Sequence, residues 1–585
     1  MARSRSPWVL VGSAAGMLAC ATQPAGFMTT DASARSPDVP MAVFSLDAKA
    51  PPREATGAEG ASDAVVRDAV VTRDADLPRD AAAETADVTR DSGVEVDASP
   101  DASSAGDASC LLTGGPAVLS PGAAGAYLLR GTVLAPAGAL AGEVLLVGST
   151  IKCVAASCAT TAGAATATII DTHGIILPGL VDTHNHILFD VFDETDWAPT
   201  KVYTNHNQWT AEPGYKAMVN AKQYLNGESG SPWDYGCEMD KYGELKGVVA
   251  GTTSIVGAAN PANRACYGSL ARTIDQSSNE LPTDDVQVAT LFPSAASANG
   301  VCTNFGDGDT DAYLIHIAEG VDDTAHKEFA SLEALTTPPM CLFAAQTTIV
   351  HGTALVDADF ATMATAGMSL TWSPRSNVFL YGGGVDLTKT TNVPAALAHG
   401  LNVSIAPDWS MGGSQNMLDE LRFAHQVDVS EWGHILSSQA LFEMATKNPA
   451  KALGLSGTLG SLAVGLRADV AVISGDTTQP YDALLAASPR EVRLVFVDGV
   501  PLYGDAALVS LAPRPSGAAP CEVIDACCGA KFVCVSTTSV QAGDKLDETY
   551  ASIASTLSKA FTDYDAMGLS PYTFSPVTPL IRCAP

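Results

Sequence analysis

Basic side chains are scarce in this chain of 585 residues. Its 32 lysines and arginines stand against 64 aspartates and glutamates, a formal net charge of -32. That balance argues against nucleic acid as a partner, because binding phosphates needs a basic face. Also missing is any apolar run of about 20 residues, so no segment reads as a bilayer-spanning helix. Histidines number only ten, which makes their positions informative. Residues 21–108 hold few aromatics and no sustained helical or strand period. With Ala, Asp, Pro, Ser, Thr and Val dominating, and 17 acids against 7 bases, this stretch cannot bury enough surface to offset its chain entropy. It is expected to be a disordered acidic tether, and its imperfect "RDA" recurrence is compositional.

What the chain does have begins at its start. "MARSRSPW" carries two arginines, and "VLVGSAAGMLA" is an apolar run of signal-peptide length. Cys20 follows directly. The segment resembles a bacterial lipoprotein signal, with Met17 where leucine is more usual. The expectation is an exported protein, lipidated on Cys20, anchored to the membrane by that lipid alone and facing the periplasm or cell surface. The alternative is an ordinary secretory signal in which Cys20 has no special role. With Cys20 set aside, twelve of the thirteen cysteines remain, an even number in an exported chain, so disulfides are the default. Cys153 and Cys158 are expected to pair across a turn. Cys237 with Cys266 and Cys302 with Cys341 are further candidate pairs. The tail cluster of Cys521, Cys527, Cys528, Cys534 and Cys583 lacks the two CxxC knuckles of a zinc site and is also read as disulfide-forming.

From about residue 125 short strands are separated by Gly- and Ala-rich turns ("AYLLRGTVL", "GEVLLVGSTIKCVA", "ATIIDTHG"). After Pro178-Gly179 the rhythm changes. Apolar strand-like runs alternate with helical stretches: "VVAGTTSIVGA" then "ACYGSLARTIDQ", "VQVATLFPSA", "AYLIHIAEG" then "TAHKEFASLEAL", "TTIVHGTAL" then "DADFATMATAG", "MSLTWSPRSN" then "VPAALAHG", "LNVSIAPDWS" then "MLDELRFAHQ". Such alternation means βα units and a parallel sheet. With close to eight repeats, an α/β fold closed as a (β/α)8 TIM-like barrel is expected, its chemistry at the C-terminal ends of the strands. Beyond 446 short strands return. The expected plan is a signal peptide (1–20), the tether (21–108), the first part of a small flanking β-sandwich domain (109–177), the barrel (178–445), the second part of the β-sandwich (446–512), and a Cys-containing extension (513–585). The extension includes an amphipathic segment, "KLDETYASIASTLSKAFTDYDAM".

The polar residues fall at the strand ends. His184 and His186 close the first barrel strand, where side chains two apart share a face. His316 and Glu319 close "AYLIHIAEG", His351 closes "TTIVHG", and Asp408 closes "VSIAPDW". A lone histidine at a strand end is usually a satisfied polar residue. Four histidines and two acids, each just after an apolar run, are better explained as a site. Three imidazoles and a carboxylate suit zinc with a position left open for water.

"IIDTHGIILPGLVDTHNHI" resembles the entry signature of the amidohydrolase superfamily, and "ATKNPAKALGLSGTLGSLAVGLRADVAVISGD" its exit signature. Between them, "HIAE", "IVHG", "SPRSN" and "PDWS" are similar to the branch of chlorohydrolases and cytosine-, guanine- and adenosine-type deaminases. The likeness runs from about 125 to 505. It implies His184, His186, His316 and Asp408 as metal ligands, Asp408 also as an acceptor of the water's proton, Glu319 as the proton shuttle, and His351 as a group that steadies substrate or the attacking water. Ser376 and Asn377 are placed near the substrate by the same likeness. Arg375, Trp372 and Trp409 lie beside motif residues and are candidates for lining the pocket. In two-metal branches a carboxylated lysine from the fourth strand bridges the ions. No lysine occurs between Lys246 and Lys327, so one divalent metal per chain is expected, zinc first, with iron or manganese compatible with the same donors. An acidic bridge between two ions stays open, and the fourth strand is not identifiable from the sequence.

The expected activity is hydrolysis of a C–N bond (an amide, a cyclic amide or an aminated heterocycle) in a small-molecule substrate. The alternative is an inactive, surface-tethered binding protein on the same scaffold. Export favours extracellular amides, cyclic amides or xenobiotic-like heterocycles over intracellular nucleobases. A homo-oligomer stays open. His399 is read as a helix-end residue placed by the dipole, and His206, His326, His425 and His434 as surface residues.

Overall fold

The structure is a computed structural model and describes residues 114–582, apart from 229, 258–269, 276–285, 514–520, 528, 536–547, 576, 578 and 579. The expected signal, Cys20 and tether lie outside the described residues, as do Cys266, Cys528 and Cys583. No described helix is long and apolar enough to cross a membrane.

The strands that precede and those that follow the parallel strands meet in one ten-stranded sheet. Its two halves join where Val470–Ile473 pairs antiparallel with the end of Ala167–Pro178, in the register Val470↔Pro178 and Ile473↔Ile175. Alternation along the strands gives the sheet two apolar faces. Tyr127 and Leu129 enter the main core, whereas Ala126 and Leu128 enter a separate small cluster with Leu145, Cys153 and Cys158. That cluster is closed by the Cys153–Cys158 disulfide, as expected from the short spacing. Strands from before and after the parallel strands thus form one hydrogen-bonded sheet.

Pro178-Gly179 marks the passage from this sheet to the parallel strands. Gly179 is required by close approach: a Cβ there would lie 2.1 Å from the Thr253 hydroxyl. Among the described residues, eight parallel strands follow. Leu180–Asp182, Thr252–Ile255 and Arg272–Thr273 form one parallel sheet. Val286–Ala289, Ala312–Ile317, Thr347–His351, Ser369–Trp372 and Asn402–Ile405 form another. A parallel bridge between Asn185 and Asp408 links the end of the first strand to the end of the last. The fold is thus mixed α/β with parallel sheets, and described helices follow the first strand and the fourth to the eighth. Asp322 and Asn416 cap the helices Asp323–Leu335 and Met417–Glu431 through their side chains.

One strand assignment is corrected and one is completed. The third strand is the two-residue Arg272–Thr273, inside the stretch "ACYGSLARTIDQ" read as helical. Arg272 is held there by Asp469 at 2.7 Å and Asp498 at 2.9 Å, an arrangement that crosses to the other sheet. Val286–Ala289, inside the stretch "VQVATLFPSA" read as strand-like, is the fourth strand, whose place in the order was left open.

In the extension, the helix Tyr550–Ala566 buries Ile553, Leu557, Ala560, Phe561 and Tyr564, a helical stripe. Phe561 and Phe574 pack on Phe192, with ring centroids 5.2 and 5.6 Å away. Arg582 reaches Asp193 at 2.8 Å. The extension thus packs on the segment that follows the first parallel strand. Cys302–Cys341 pair as expected, and Cys521 pairs with Cys534 across the hairpin of Glu522–Ala526 and Gly529–Val533. Cys237 and Cys527 are also oxidised.

Candidate metal centre

The strand ends bring the expected ligands into two donor groups that share His184. Donor atoms of His184, His186 and His316 lie within 4.8 Å of one another, as do those of His184, His351 and Asp408. Asp408 Oδ1 stands 2.9 Å from His184 Nε2 and 3.4 Å from His186 Nε2. The ring centroids of His184 and His316 are 4.5 Å apart. All of these side chains are buried except that of His186, which is 19% exposed.

The backbone works to achieve this convergence. The turn after the first strand is tied by Asp182, which accepts bonds from His184 N and the Asn185 amide. Ala318, His351 and Asp408 all adopt left-handed backbone, at φ 57°, 64° and 73°. Such conformations cost non-glycine residues about 1–3 kcal/mol each and gather at functional sites. Each one bends a strand end so that its side chain, or its neighbour's, turns inward.

A second set of contacts fixes the rings. His316 Nδ1 lies 3.1 Å from the carbonyl of Ala289, the last residue of the fourth strand. Nδ1 therefore carries the proton and Nε2 offers a lone pair. The Asn377 amide donates to His351 Nδ1 at 3.2 Å, which leaves the His351 proton on Nε2. The Ser376 hydroxyl donates to Asp408 Oδ2. Burial pushes His316 and His351 below the usual imidazole range and His186 down to about 4, helped by the neighbouring imidazoles. Asp408 is held well below the carboxylate range, against its burial, by His184 and the other imidazoles. Neutral imidazoles and an ionised carboxylate are the forms that bind a divalent cation, so the donor set fits one.

Glu319 faces the cluster from the turn after the fifth strand. The Tyr381 hydroxyl donates to Glu319 Oε1 at 3.1 Å and accepts from Trp209 Nε1 at 3.1 Å. Burial works to raise the Glu319 carboxyl, yet His351 and His206 hold it below its ordinary value.

Some expectations need correction. Ser376 and Asn377 are at the cluster, but their side chains are engaged with Asp408 and His351. Trp372 is fully buried, donates to the Thr390 hydroxyl at 2.7 Å and packs on Trp432, so it belongs to the core. Arg375 is exposed and its guanidinium stacks on Phe423, 5.0 Å from the ring centroid, so it does not line the site. Trp409 does stand beside the cluster, 5.8 Å from the His186 ring, within an aromatic group that includes Trp197, Trp209 and Tyr215. His206, read as a surface residue, is buried. Its Nδ1 lies 3.4 Å from Glu319 and its Nε2 2.9 Å from Glu328. His399 meets Asp357 at a helix end and His326 meets Asp359, both as ordinary surface pairs. Tyr381 and His206 escaped the sequence reading. Tyr381 left one signal: it lies four residues after Asn377, on the same helical face.

Residues 298–502 match the amidohydrolase family. A 5-methylthioadenosine/S-adenosylhomocysteine deaminase of Nitratidesulfovibrio vulgaris is 31% identical over 206 residues, 33% of this chain and 44% of that protein. One from Acetivibrio thermocellus is 26% identical over 197 residues, 32% of this chain and 44% of that protein. The matches thus span less than half the length of these relatives. Among solved structures, atrazine chlorohydrolase TrzN from Arthrobacter aurescens TC1, complexed with zinc, superposes with a TM-score of 0.50 at 17% identity, covering 64% of this chain and 95% of that one. Guanine deaminase from Bradyrhizobium japonicum gives 0.50 at 17% identity, covering 65% and 100%. These likenesses concern the fold.

Proposed function

We propose that this chain is a metal-dependent amidohydrolase that hydrolyses a C–N bond of a small molecule, an amide, a cyclic amide or an aminated heterocycle. The observation that carries the reading is that donor atoms of His184, His186 and His316, from the first and fifth parallel strands, lie within 4.8 Å of one another, with Asp408 after the eighth strand 2.9 Å from His184 and 3.4 Å from His186. In this reading they hold one divalent cation, zinc first, with iron or manganese fitting the same donors. Held there, such a cation would supply Lewis acidity that lowers the pKa of a water.

The chain's own groups do the rest. Asp408, ionised and oriented by Ser376, takes up a proton at Oδ1. Glu319, ionised and fixed by Tyr381, receives a proton and delivers it to the leaving nitrogen. His351 presents its Nε2–H to the substrate atom that gains negative charge. Burial of the whole set strengthens these interactions. The two parallel sheets are taken as one closed (β/α)8 barrel, supported by the Asn185–Asp408 bridge. The ten-stranded sheet takes the place of the flanking β-sandwich domain. The deaminase names of the sequence relatives direct the search first to aminated heterocycles. Export and a lipid on Cys20 are supported by the first twenty residues alone.

The test is metal analysis of the purified chain with a substrate panel scored for ammonia against carboxylate release. The expected result is about one transition metal per chain and turnover on at least one amide or aminated ring. Glu319→Gln should keep the metal and lose about 10²–10⁴-fold in kcat. Absence of stoichiometric metal, or full activity in that variant, overturns the corresponding assignment. Metal without turnover on any member of the panel favours a binding protein.

A further inference from the structure

His206 lies on the segment between the first and second parallel strands, at the start of the short helix His206–Trp209. It is tied to the Glu319 turn by both backbone and side chain. Its N–H donates to the Glu319 carbonyl at 3.1 Å, and Asn205 forms a bridge with Gly320. Its imidazole sits between two carboxylates, Glu319 Oε2 at 3.4 Å and Glu328 Oε1 at 2.9 Å. The other Glu328 oxygen accepts the N–H of Ala318 at 2.9 Å, the left-handed residue that aims Glu319 at the cluster. His206, Glu328 and Tyr381 thus enclose the Ala318–Gly320 turn from three different elements.

We propose that His206 is a positioning residue for Glu319, clamping its carboxylate between the imidazole and the Tyr381 hydroxyl while Glu328 anchors the imidazole from behind. The inference rests on the reading of Glu319 as the proton shuttle. A neutral imidazole has one N–H and can donate to only one of the two acids, whereas an imidazolium donates to both. The geometry, two acids on opposite ring nitrogens, selects the imidazolium. Burial opposes that charge, but the bonds to Glu319 and Glu328 overcome it and push His206 up to about 10. Among the described residues, the other charged or titratable groups facing this turn and its neighbours include His351, Asp408, Tyr381 and Tyr215, with Asp322 holding the adjacent Asn205. A fixed cation on one oxygen and a fixed donor on the other leave the carboxylate a single orientation, a condition for efficient proton transfer.

The experiment uses the full chain and four variants: His206→Ala, His206→Gln, Glu328→Gln and Glu319→Gln. With the substrate found by the panel, His206→Ala should lose about 10–100-fold in kcat, with KM and metal content near the parent's. Glu328→Gln should fall in the same direction by less. His206→Gln, which retains a donor toward Glu319, should recover part of the loss. His206→Ala with kcat within about twofold of the parent, beside an inactive Glu319→Gln, overturns the inference. A second readout needs no substrate. In protein labelled with 15N-histidine at pH 7.5, one resonance set, identified by its absence from His206→Gln, should show both ring nitrogens protonated. It should shift toward the neutral form in Glu319→Gln and in Glu328→Gln. A neutral His206 in the parent overturns the inference. An active Glu319→Gln whose His206 still loses its charge sinks the shuttle assignment while leaving the ion pair intact, so the two failures are distinct.

Discussion

Replacing Tyr381 by Phe removes one oxygen from a fully enclosed position and leaves the packing volume almost unchanged. The Tyr381 hydroxyl accepts from Trp209 Nε1 at 3.1 Å and donates toward Glu319, with Oε1 at 3.1 Å and the carbonyl at 3.2 Å. Both Tyr381 and Trp209 are buried, at 1% and 6% exposure. Without the hydroxyl, the indole N–H is a buried donor with no acceptor, which costs about 1–3 kcal/mol, and the Glu319 carboxylate loses a charged bond worth about 1.5–3 kcal/mol. Partial relaxation and the relief of desolvating the hydroxyl itself reduce the sum, so a net loss of about 2–4 kcal/mol is expected. Urea unfolding reads this as a lower midpoint with an unchanged slope. A double-mutant cycle isolates the cause. Trp209→Phe should cost less in the Tyr381→Phe background than in the parent, by about 0.5–3 kcal/mol of coupling. A stability change below about 0.5 kcal/mol in Tyr381→Phe, or strictly additive variants, would refute the account.

Other outcomes follow from the same structure. Removing the metal with a chelator should lower stability by about 2.7 kcal/mol relative to protein held at 100 times the metal Kd, and readdition should restore it; identical unfolding curves would leave the cluster without a cation. Converting Cys302 and Cys341 to Ser opens a loop with a sequence separation of 39 residues and should cost about 4 kcal/mol by the loop-entropy relation, again read by urea. His206 is raised above its ordinary 6.5 to about 10, so its charge contributes stability fully below pH 6.5, and that contribution disappears as the pH rises through 10. The stability difference between the parent and His206→Ala should therefore shrink between those two pH values; a flat difference would contradict the ion pairs.

The amino-acid order alone went far at the strand ends. In a βα repeat the polar residue that follows an apolar run must emerge at the C-terminal rim. That argument needs only local pattern, and it found His184, His186, His316, Glu319, His351 and Asp408, which the structure brings together. The short spacing of Cys153 and Cys158 was equally local. The pattern failed where an element is too short to show a period. Arg272–Thr273 is a strand of two residues, held by ion pairs to Asp469 and Asp498 nearly two hundred positions away or more.

What only the tertiary structure decided is which way each neighbour of a motif faces. Trp372 and Arg375 flank the site in sequence, yet one turns into the core and the other stacks on Phe423 outside. His206 carries no motif, yet it reaches Glu319 across a sequence gap of more than one hundred residues because the Asn205–Gly320 bridge brings the two segments side by side. Periodicity reports burial of a face one element at a time. The partners of a buried charge are set by chain segments meeting in space, and no local pattern encodes that meeting.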